Sequence, residues 1–369
     1  MKYYLLPKHN LKIKISICHK IEQMPVLSQS LHFYLNNIYN QIGIDKNNAV
    51  KNNADKNNAD KIGYIFKLVN PFEFLSTNVI DYGFPVSKKE YKTNTYFEVM
   101  ELFKFAKIID ALYLTKKINV CIISPNHNSL KELLQIKRCD NNDDVILFTD
   151  FEYDNIIDTF IANKFEYNID LFIFELKKDD YANSSTYQTN LILVLILIIK
   201  FQSFQGISII KIDDSTHQLI IDIIYILSCH FEKTFLVKPL TSNIINGEKY
   251  IICNGFDMDK VTKKYIVETL EQLINSSTIS IKNIYSLIDN EIPYHFIKKI
   301  EESNIVFGQQ QLEIFDQIIN ILNNNNPEKL ESLKNAHIQK CIQWCDKNKI
   351  TSNKFMDKMN IFLKSKKNA

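Results

Sequence analysis

"FLVKPLTSNIINGEKYIICNGF", Phe235 to Phe256, runs from an apolar strand through a polar loop straight into a second apolar strand. Both apolar runs have strand length and are rich in Ile, Val and Phe, and Asn246-Gly247 brings the turn chemistry that joins antiparallel partners. The stretch predicts a β-hairpin. Turn formation accounts for Asn246 and Gly247 but not for Glu248, an acid at the mouth of a strand, so Glu248 is a candidate functional residue.

Working back from the hairpin, strands alternate with helices. "YFEVMELFKFAKIIDAL" (96–112) spaces its apolar residues at helical intervals, and "INVCIIS" (118–124) is a short strand closed by Pro125. "NSLKELLQI" reads as a helix started by Asn128 and Ser129, "DVILFTD" as a strand ending on Asp150, and "IDLFIFE" as a strand ending on Glu175. "LILVLILIIKFQ" is a helix, "GISIIKI" a strand carrying Lys211, and "HQLIIDIIYILSCHF" a helix that leads into the hairpin. The alternation predicts an α/β fold with a mostly parallel sheet covered on both faces and a terminal antiparallel hairpin. Ligands of such sheets bind beyond the carboxyl ends of the strands. Ser124, Asp150, Glu175 and Lys211 are therefore expected to converge on one edge.

On either side of this region the pattern changes. From Lys46 the text reads KNNAV, KNNAD, KNNAD, a polar repeat without apolar periodicity, expected to be a disordered insertion over 46–61. After Phe256 the periodicity is helical to the end, with Pro327 placed to open a helix after an Asn-rich linker. The expected organisation is an N-terminal extension (1–90), a core (91–258) and a helical C-terminal region (259–369).

Composition narrows the function classes. The 369 residues are 46% hydrophobic, enough for a sizeable core, and a net charge of +2 offers no global basic field for nucleic acid. Arg138 is the only arginine among 44 basic residues. Seven cysteines without a CxxC pair point to a reducing compartment and away from a metal site, and Cys341 and Cys345, at i and i+4, read as packing thiols. The longest apolar run, Leu191 to Ile199, is about half the ~20 residues of a membrane span. The first residues lack the apolar stretch of a signal peptide. A cytoplasmic protein without membrane association is expected.

In order, these pieces resemble the FtsJ-like ribose 2′-O-methyltransferases, of the kind found in large DNA viruses. "LFKF" is similar to the Lys-bearing helix of the family and puts Lys104 first in its Lys-Asp-Lys-Glu tetrad. "DLFIFE" puts Glu175 second, "GISIIKI" puts Lys211 third, and "VKPLTSNIINGEKYIICNGF" resembles the family's closing hairpin with Glu248 fourth. "IISPNHNSLKELL" stands where the family joins strand to helix around S-adenosylmethionine. The resemblance thus implies Ser124, Pro125, Asn126 and Asp150 as cofactor-binding residues, Asp150 toward the cofactor ribose. It implies a Rossmann-like methyltransferase fold with a helical C-terminal tail, and methyl transfer from S-adenosylmethionine to an RNA ribose 2′-hydroxyl at or near an mRNA cap. The implied partners are capped RNA and a protein of a capping or virion complex, in a host cytoplasm or virion.

The chemistry asks for these residue types. A ribose hydroxyl is a poor nucleophile, so methyl transfer needs in-line placement and a proton acceptor. Lys211 is expected in that role, its pKa lowered by Lys104 and by desolvation. Glu175 and Glu248 would orient lysines and sugar. Two positions depart from the family pattern: Glu175 is one methylene longer than Asp, and Asn126, His127 and Asn128 stand where the family has glycines. Intact Lys211 and Glu248 favour the enzyme; the altered loop favours a catalytically silent RNA-binding or scaffolding subunit of a capping or virion complex. Single residues also have plainer roles, Asp150 as a helix cap, His127 as a loop histidine and Trp344 as a core anchor of the tail.

Overall fold

The computed structural model describes residues 1–9, 13–20, 24–42, 56–88, 93–108, 112, 117–138, 143–162, 169–176, 184–275, 284–324 and 326–353. The first part of the chain gives β1 (Lys2–Leu6), β2 (Ile15–His19), α1 (Gln29–Ile42), α2 (Lys56–Val69) and α3 (Asn94–Phe105). The alternating part follows as β3 (Asn119–Ile123), α4 (His127–Arg138), β4 (Asp144–Phe148), α5 (Tyr153–Ala162), β5 (Ile169–Phe174), α6 (Ser184–Phe201), β6 (Gln202–Ile212) and α7 (Gln218–His230). The predicted hairpin is β7 (Phe231–Lys238) and β8 (Lys249–Phe256), and α8 (Lys260–Asn275), β9 (Ile284–Ile288), α9 (Tyr294–Asn324) and α10 (Pro327–Asn348) complete the described chain.

Seven strands form one sheet in the order β1-β7-β8-β6-β5-β3-β4, and β2 pairs with β9 apart from it. Strands β3, β4, β5 and β6 are mutually parallel. Strand β8 is antiparallel to β6 and to β7, which turns β7 back to the common direction. Five of the seven strands therefore run the same way, as the alternation of strands and helices predicts.

The pleat sorts the side chains. Ile207, Ile209, Tyr250 and Ile252 face one core with α3, α4 and α10, while Ile210, Ile212, Ile251 and Cys253 face the other with α6 and α7. Helix α6 is apolar all round from Leu191 to Ile199 and every one of those residues is buried, as a helix without a polar stripe requires. Among the described residues no helix is long and apolar enough to cross a membrane.

The flanking regions differ from the sequence expectation in three respects, the first being that strand β9 interrupts the expected helical C-terminal region and pairs with β2. Strand β1, from the expected extension, pairs antiparallel with β7 and becomes an edge of the main sheet. Of the expected disordered repeat, 46–55 lie outside the described residues, but the third copy, 56–60, begins α2. The polar turns there are carried by the apolar face that follows, Ile62, Ile65, Phe66 and Val69, which packs on Phe315 and Ile318 of α9. Helix formation extends from packed turns into a sequence that could not form a helix alone.

Helix α10 seals the α3 side. Trp344 lies edge-on to Phe97 with ring centroids 5.5 Å apart and donates through Nε1 to Glu101 Oε1 at 2.6 Å, the role of core anchor. Glu101 Oε2 accepts from the backbone N–H of Leu240 at 2.6 Å, so one buried carboxylate ties the tail and the hairpin loop to α3. The six described cysteines are free thiols, Cys341 and Cys345 both buried.

Candidate active site

Strand register brings Ser124, Glu175, Lys211 and Glu248 together. Lys211, the penultimate residue of β6, lies opposite Tyr250 of β8, so the two side chains leave the same sheet face. Glu248 stands two residues before Tyr250 and shares that face by the period-two pleat. On the other side β5 ends at Phe174, and Glu175 keeps the phase of Leu171 and Ile173, again on the α3 face. Ser124 does the same beyond β3.

At the centre is the ammonium of Lys211. Its Nζ lies 3.3 Å from Glu98 Oε2, 3.3 Å from Glu175 Oε1 and 3.4 Å from Glu248 Oε2. All four residues are less than a tenth exposed. Tyr250 donates its hydroxyl to Glu98 Oε2. Glu175 is the most heavily bonded acid: Thr95 Oγ1 donates to it at 2.8 Å, Ser124 Oγ at 2.6 Å and Asn126 Nδ2 at 3.1 Å. Its extra methylene relative to Asp is thus taken up by a complete set of partners. Burial alone would raise the Glu175 pKa, but Lys211 and the three hydrogen bonds hold it below the usual carboxylate range.

Two sequence expectations fail here, for related reasons. Lys104 does not reach the cluster. It is exposed on α3 and, among the described residues, its ammonium meets Asn348 Oδ1 alone, at 3.5 Å. The residue that α3 delivers to Lys211 is Glu98, six positions earlier, about 9 Å along the helix and on another face. Lys211 is accordingly not shifted downward. Burial would lower its pKa, but Glu98 first, then Tyr250, Glu248 and Glu175, push it well above the ordinary lysine value. A lysine surrounded by three acids is a fixed cation. The signal that marks Glu98 is its setting, an acid inside the run 95–103 whose neighbours are all buried.

The loop after β3 is built without glycine. Ser124, Pro125 and Asn126 all have ordinary negative φ, so no left-handed position there calls for one. Asn126 N donates to Ser124 Oγ at 2.9 Å, and its side-chain amide also donates to Thr95 Oγ1 at 3.2 Å, folding the turn back on the ion cluster. The backbone N–H of Ser124 donates to Phe148 O at 3.0 Å, tying the loop to the end of β4, two residues before half-buried Asp150. Pro125 is exposed and His127 Nδ1 pairs with Ser124 O at 3.1 Å at the start of α4. For a cofactor bearing a diol and an amino-acid end this edge offers a carboxylate beyond β4 and the N-terminus of α4, while both side-chain N–H groups of Asn126 are taken by Thr95 and Glu175.

On the opposite face of the hairpin, Lys249 points away from the cluster. Its Nζ donates to Ser215 Oγ and Asn304 Oδ1, both at 3.0 Å. Lys238 Nζ donates to the carbonyls of Asn246 and Glu248 at 2.8 Å and closes the loop that carries Glu248; burial brings its pKa down to about 7. Beside them is a cavity of about 420 Å³ between α1, the β6–α7 loop and α9. No cluster of His, Cys, Asp or Glu among the described residues is arranged to hold a metal ion.

No family model matches the chain. A stretch of 111 residues is 32% identical to the cap-specific mRNA (nucleoside-2′-O-)-methyltransferase 1 of Dictyostelium discoideum, covering 30% of this chain and 14% of that protein. Another 126-residue match, 25% identical, is to the corresponding methyltransferase 2 of Pongo abelii, over 33% of this chain and 16% of that protein. The Mus musculus methyltransferase 1 is 31% identical over 86 residues, 23% of this chain and 10% of that one. The chain therefore spans only about a sixth, or less, of the curated relatives it matches. Among solved structures, a chain named as a ribosomal RNA methyltransferase from Plasmodium falciparum superposes with a TM-score of 0.32 and 14% identity, over 44% of this chain and 97% of that one. The sequence matches bear out the resemblance read from the residues: a part of this chain is similar in sequence to the cap-specific mRNA (nucleoside-2′-O-)-methyltransferases.

Proposed function

We propose that the protein transfers a methyl group from S-adenosylmethionine to a ribose 2′-hydroxyl of RNA, at or near an mRNA cap. The observation that carries this reading is Lys211, held between Glu175 and Glu248 at the carboxyl edge of the sheet. Ser124, Pro125, Asn126 and Asp150 would hold the cofactor, which supplies an electrophilic methyl on a positively charged sulfur. In this reading Lys211 binds and orients the ribose oxygen as a permanent cation, and Glu175 and Glu248 fix its position. The hydroxyl proton passes to the carboxylate side of the cluster, because an ammonium whose pKa is raised does not accept one. Lys104 takes no part. Residues 91–258 carry the chemistry, with 1–90 and 259–369 flanking them in sequence, in a capping or virion complex of a large DNA virus and in the host cytoplasm or virion.

One observation favours a second reading. Helix α3 presents Glu98, not a lysine, to Lys211, which makes the cluster more acidic than the tetrad that the resemblance implies. That arrangement suits a catalytically silent subunit that binds RNA on a methyltransferase scaffold. The two readings separate in one assay: full-length protein, labelled S-adenosylmethionine and capped or uncapped RNA. The enzyme yields an alkali-resistant 2′-O-methylated dinucleotide from capped RNA, lost in Lys211→Ala and kept in Lys104→Ala. RNA binding with no methyl transfer in any arm favours the silent subunit.

A further inference from the structure

Glu248 sits where the sheet no longer holds the chain. The ladder between β6 and β8 ends at Ile212 opposite Lys249, and that between β7 and β8 ends at Val237 opposite Tyr250. Glu248 lies beyond the last pair on both sides, yet its Oε2 stands 3.4 Å from Lys211 Nζ. Cross-strand register does not set that position, so the loop over 239–248 must be held in another way.

The loop is tied to its surroundings along its length. Leu240 N donates to Glu101 Oε2 at 2.6 Å, and Gln311 Nε2 of α9 donates to Ile245 O. These contacts fix the entry and the middle of the loop. Lys238 fixes the end that carries Glu248, donating from Nζ to the carbonyls of Asn246 and Glu248, both at 2.8 Å. As the last residue of β7 it leaves the sheet on the face opposite Val237. Its ammonium therefore meets the main chain of the turn and not the carboxylates around Lys211. Lys238 is 7% exposed. Removing its ammonium leaves both carbonyls short of a donor where water has little access.

Gly247, between the two gripped carbonyls, seats the turn from the other side. A Cβ there would lie 3.1 Å from Asp213 O, two residues past Lys211. The turn thus rests on the chain leaving β6, held between Lys238 and the exit of the strand that carries Lys211.

We propose that Lys238 is a positioning residue for methyl transfer: it grips the main chain of the turn over 246–248 so that the Glu248 carboxylate meets Lys211. The role rests on the methyl-transfer reading. A hydrogen bond from a charged donor is roughly twice as strong as one from a neutral donor. Burial brings the Lys238 pKa down to about 7, with Lys249 and Lys211 adding to the fall and Glu248 and Glu98 opposing it. The grip is therefore strongest below pH 7 and weakens as pH rises through it.

The test compares full-length wild type, Lys238→Met and Gly247→Ala in the capped-RNA assay on either side of pH 7. Wild type should lose rate as pH rises through about 7. Lys238→Met should lower kcat by about tenfold to a hundredfold, bind S-adenosylmethionine as wild type does, and show no such fall. Gly247→Ala keeps the lysine but shifts the turn, so it should lower kcat and keep the pH dependence. Wild-type kcat in either variant, or a fall through pH 7 that survives in Lys238→Met, would overturn the proposal. If wild type transfers no methyl group, the methyl-transfer reading fails and the grip on Glu248 is judged by folding alone. Urea midpoints of Lys238→Met, Glu248→Gln and the double variant then decide it: the loss caused by Lys238→Met should shrink by about half or more once Glu248 is replaced. Equal losses in both backgrounds would overturn the grip as well.

Discussion

Glu248 and Lys249 are adjacent on one strand and serve two different places. Glu248 leaves the sheet on the α3 face and joins a cluster in which Lys211, Glu98, Glu175, Thr95, Ser124, Asn126 and Tyr250 are knitted together. Lys249 leaves on the other face and borders a cavity where, among the described residues, the Asp213 carboxylate makes no hydrogen bond or close ion pair. One side of the hairpin is closed by charge pairing; the other is open and carries unsettled charge. A buried ion cluster fixes a geometry and resists change, whereas an unpartnered acid costs stability and leaves capacity for a ligand.

Replacing Lys211 by Met should break that contrast most severely, because three buried carboxylates lose their common cation. A loss of about 3–5 kcal/mol in urea unfolding is expected, and a loss under 1 kcal/mol would mean that the cluster is not buried as described. Asp213→Asn should do the reverse. Burial, Asp214 and Glu248 raise the Asp213 pKa from 3.8 to about 7, against the opposing pull of Lys249 and His217. A raised folded-state pKa contributes stability that is fully present below the unfolded value and is lost as pH rises through the folded one. The variant should therefore be more stable than wild type above pH 7, by about 1–3 kcal/mol. The gain should shrink as pH falls and vanish by about pH 4, and a pH-independent difference would contradict the assignment. Glu98→Gln leaves Lys211 two acids and Tyr250 an acceptor, so about 1–2 kcal/mol of destabilisation is expected by chemical denaturation. Lys104→Ala, on an exposed helix face, should change stability by no more than about 0.5 kcal/mol and leave methyl transfer untouched.

Most of the sheet is legible in the sequence because its signals are local. The apolar runs of β3 to β8 are bounded by polar closing residues, and Lys211, Glu175 and Ser124 meet because they end neighbouring strands in phase. What could not be read depends on tertiary placement. Lys104 and Glu98 both sit on a predicted helix, and only the packing of α3 decides which faces the sheet edge. The helical third repeat in α2 and the edge strand β1 owe their conformation to partners distant in sequence, α9 and β7. The cavity around Asp213 is walled by α1 and α9, more than 80 residues from it on either side, and no motif near Asp213 announces them.

The central claim is that the sheet edge beside the Lys211 cluster is a working methyl-transfer site, and binding of S-adenosylmethionine tests it most directly. Titrated into the full-length protein, the cofactor should bind with a dissociation constant on the order of micromolar, and Asp150→Ala should weaken it at least tenfold without lowering the thermal transition. No binding at millimolar cofactor, by a protein that is folded and binds RNA, would contradict the claim.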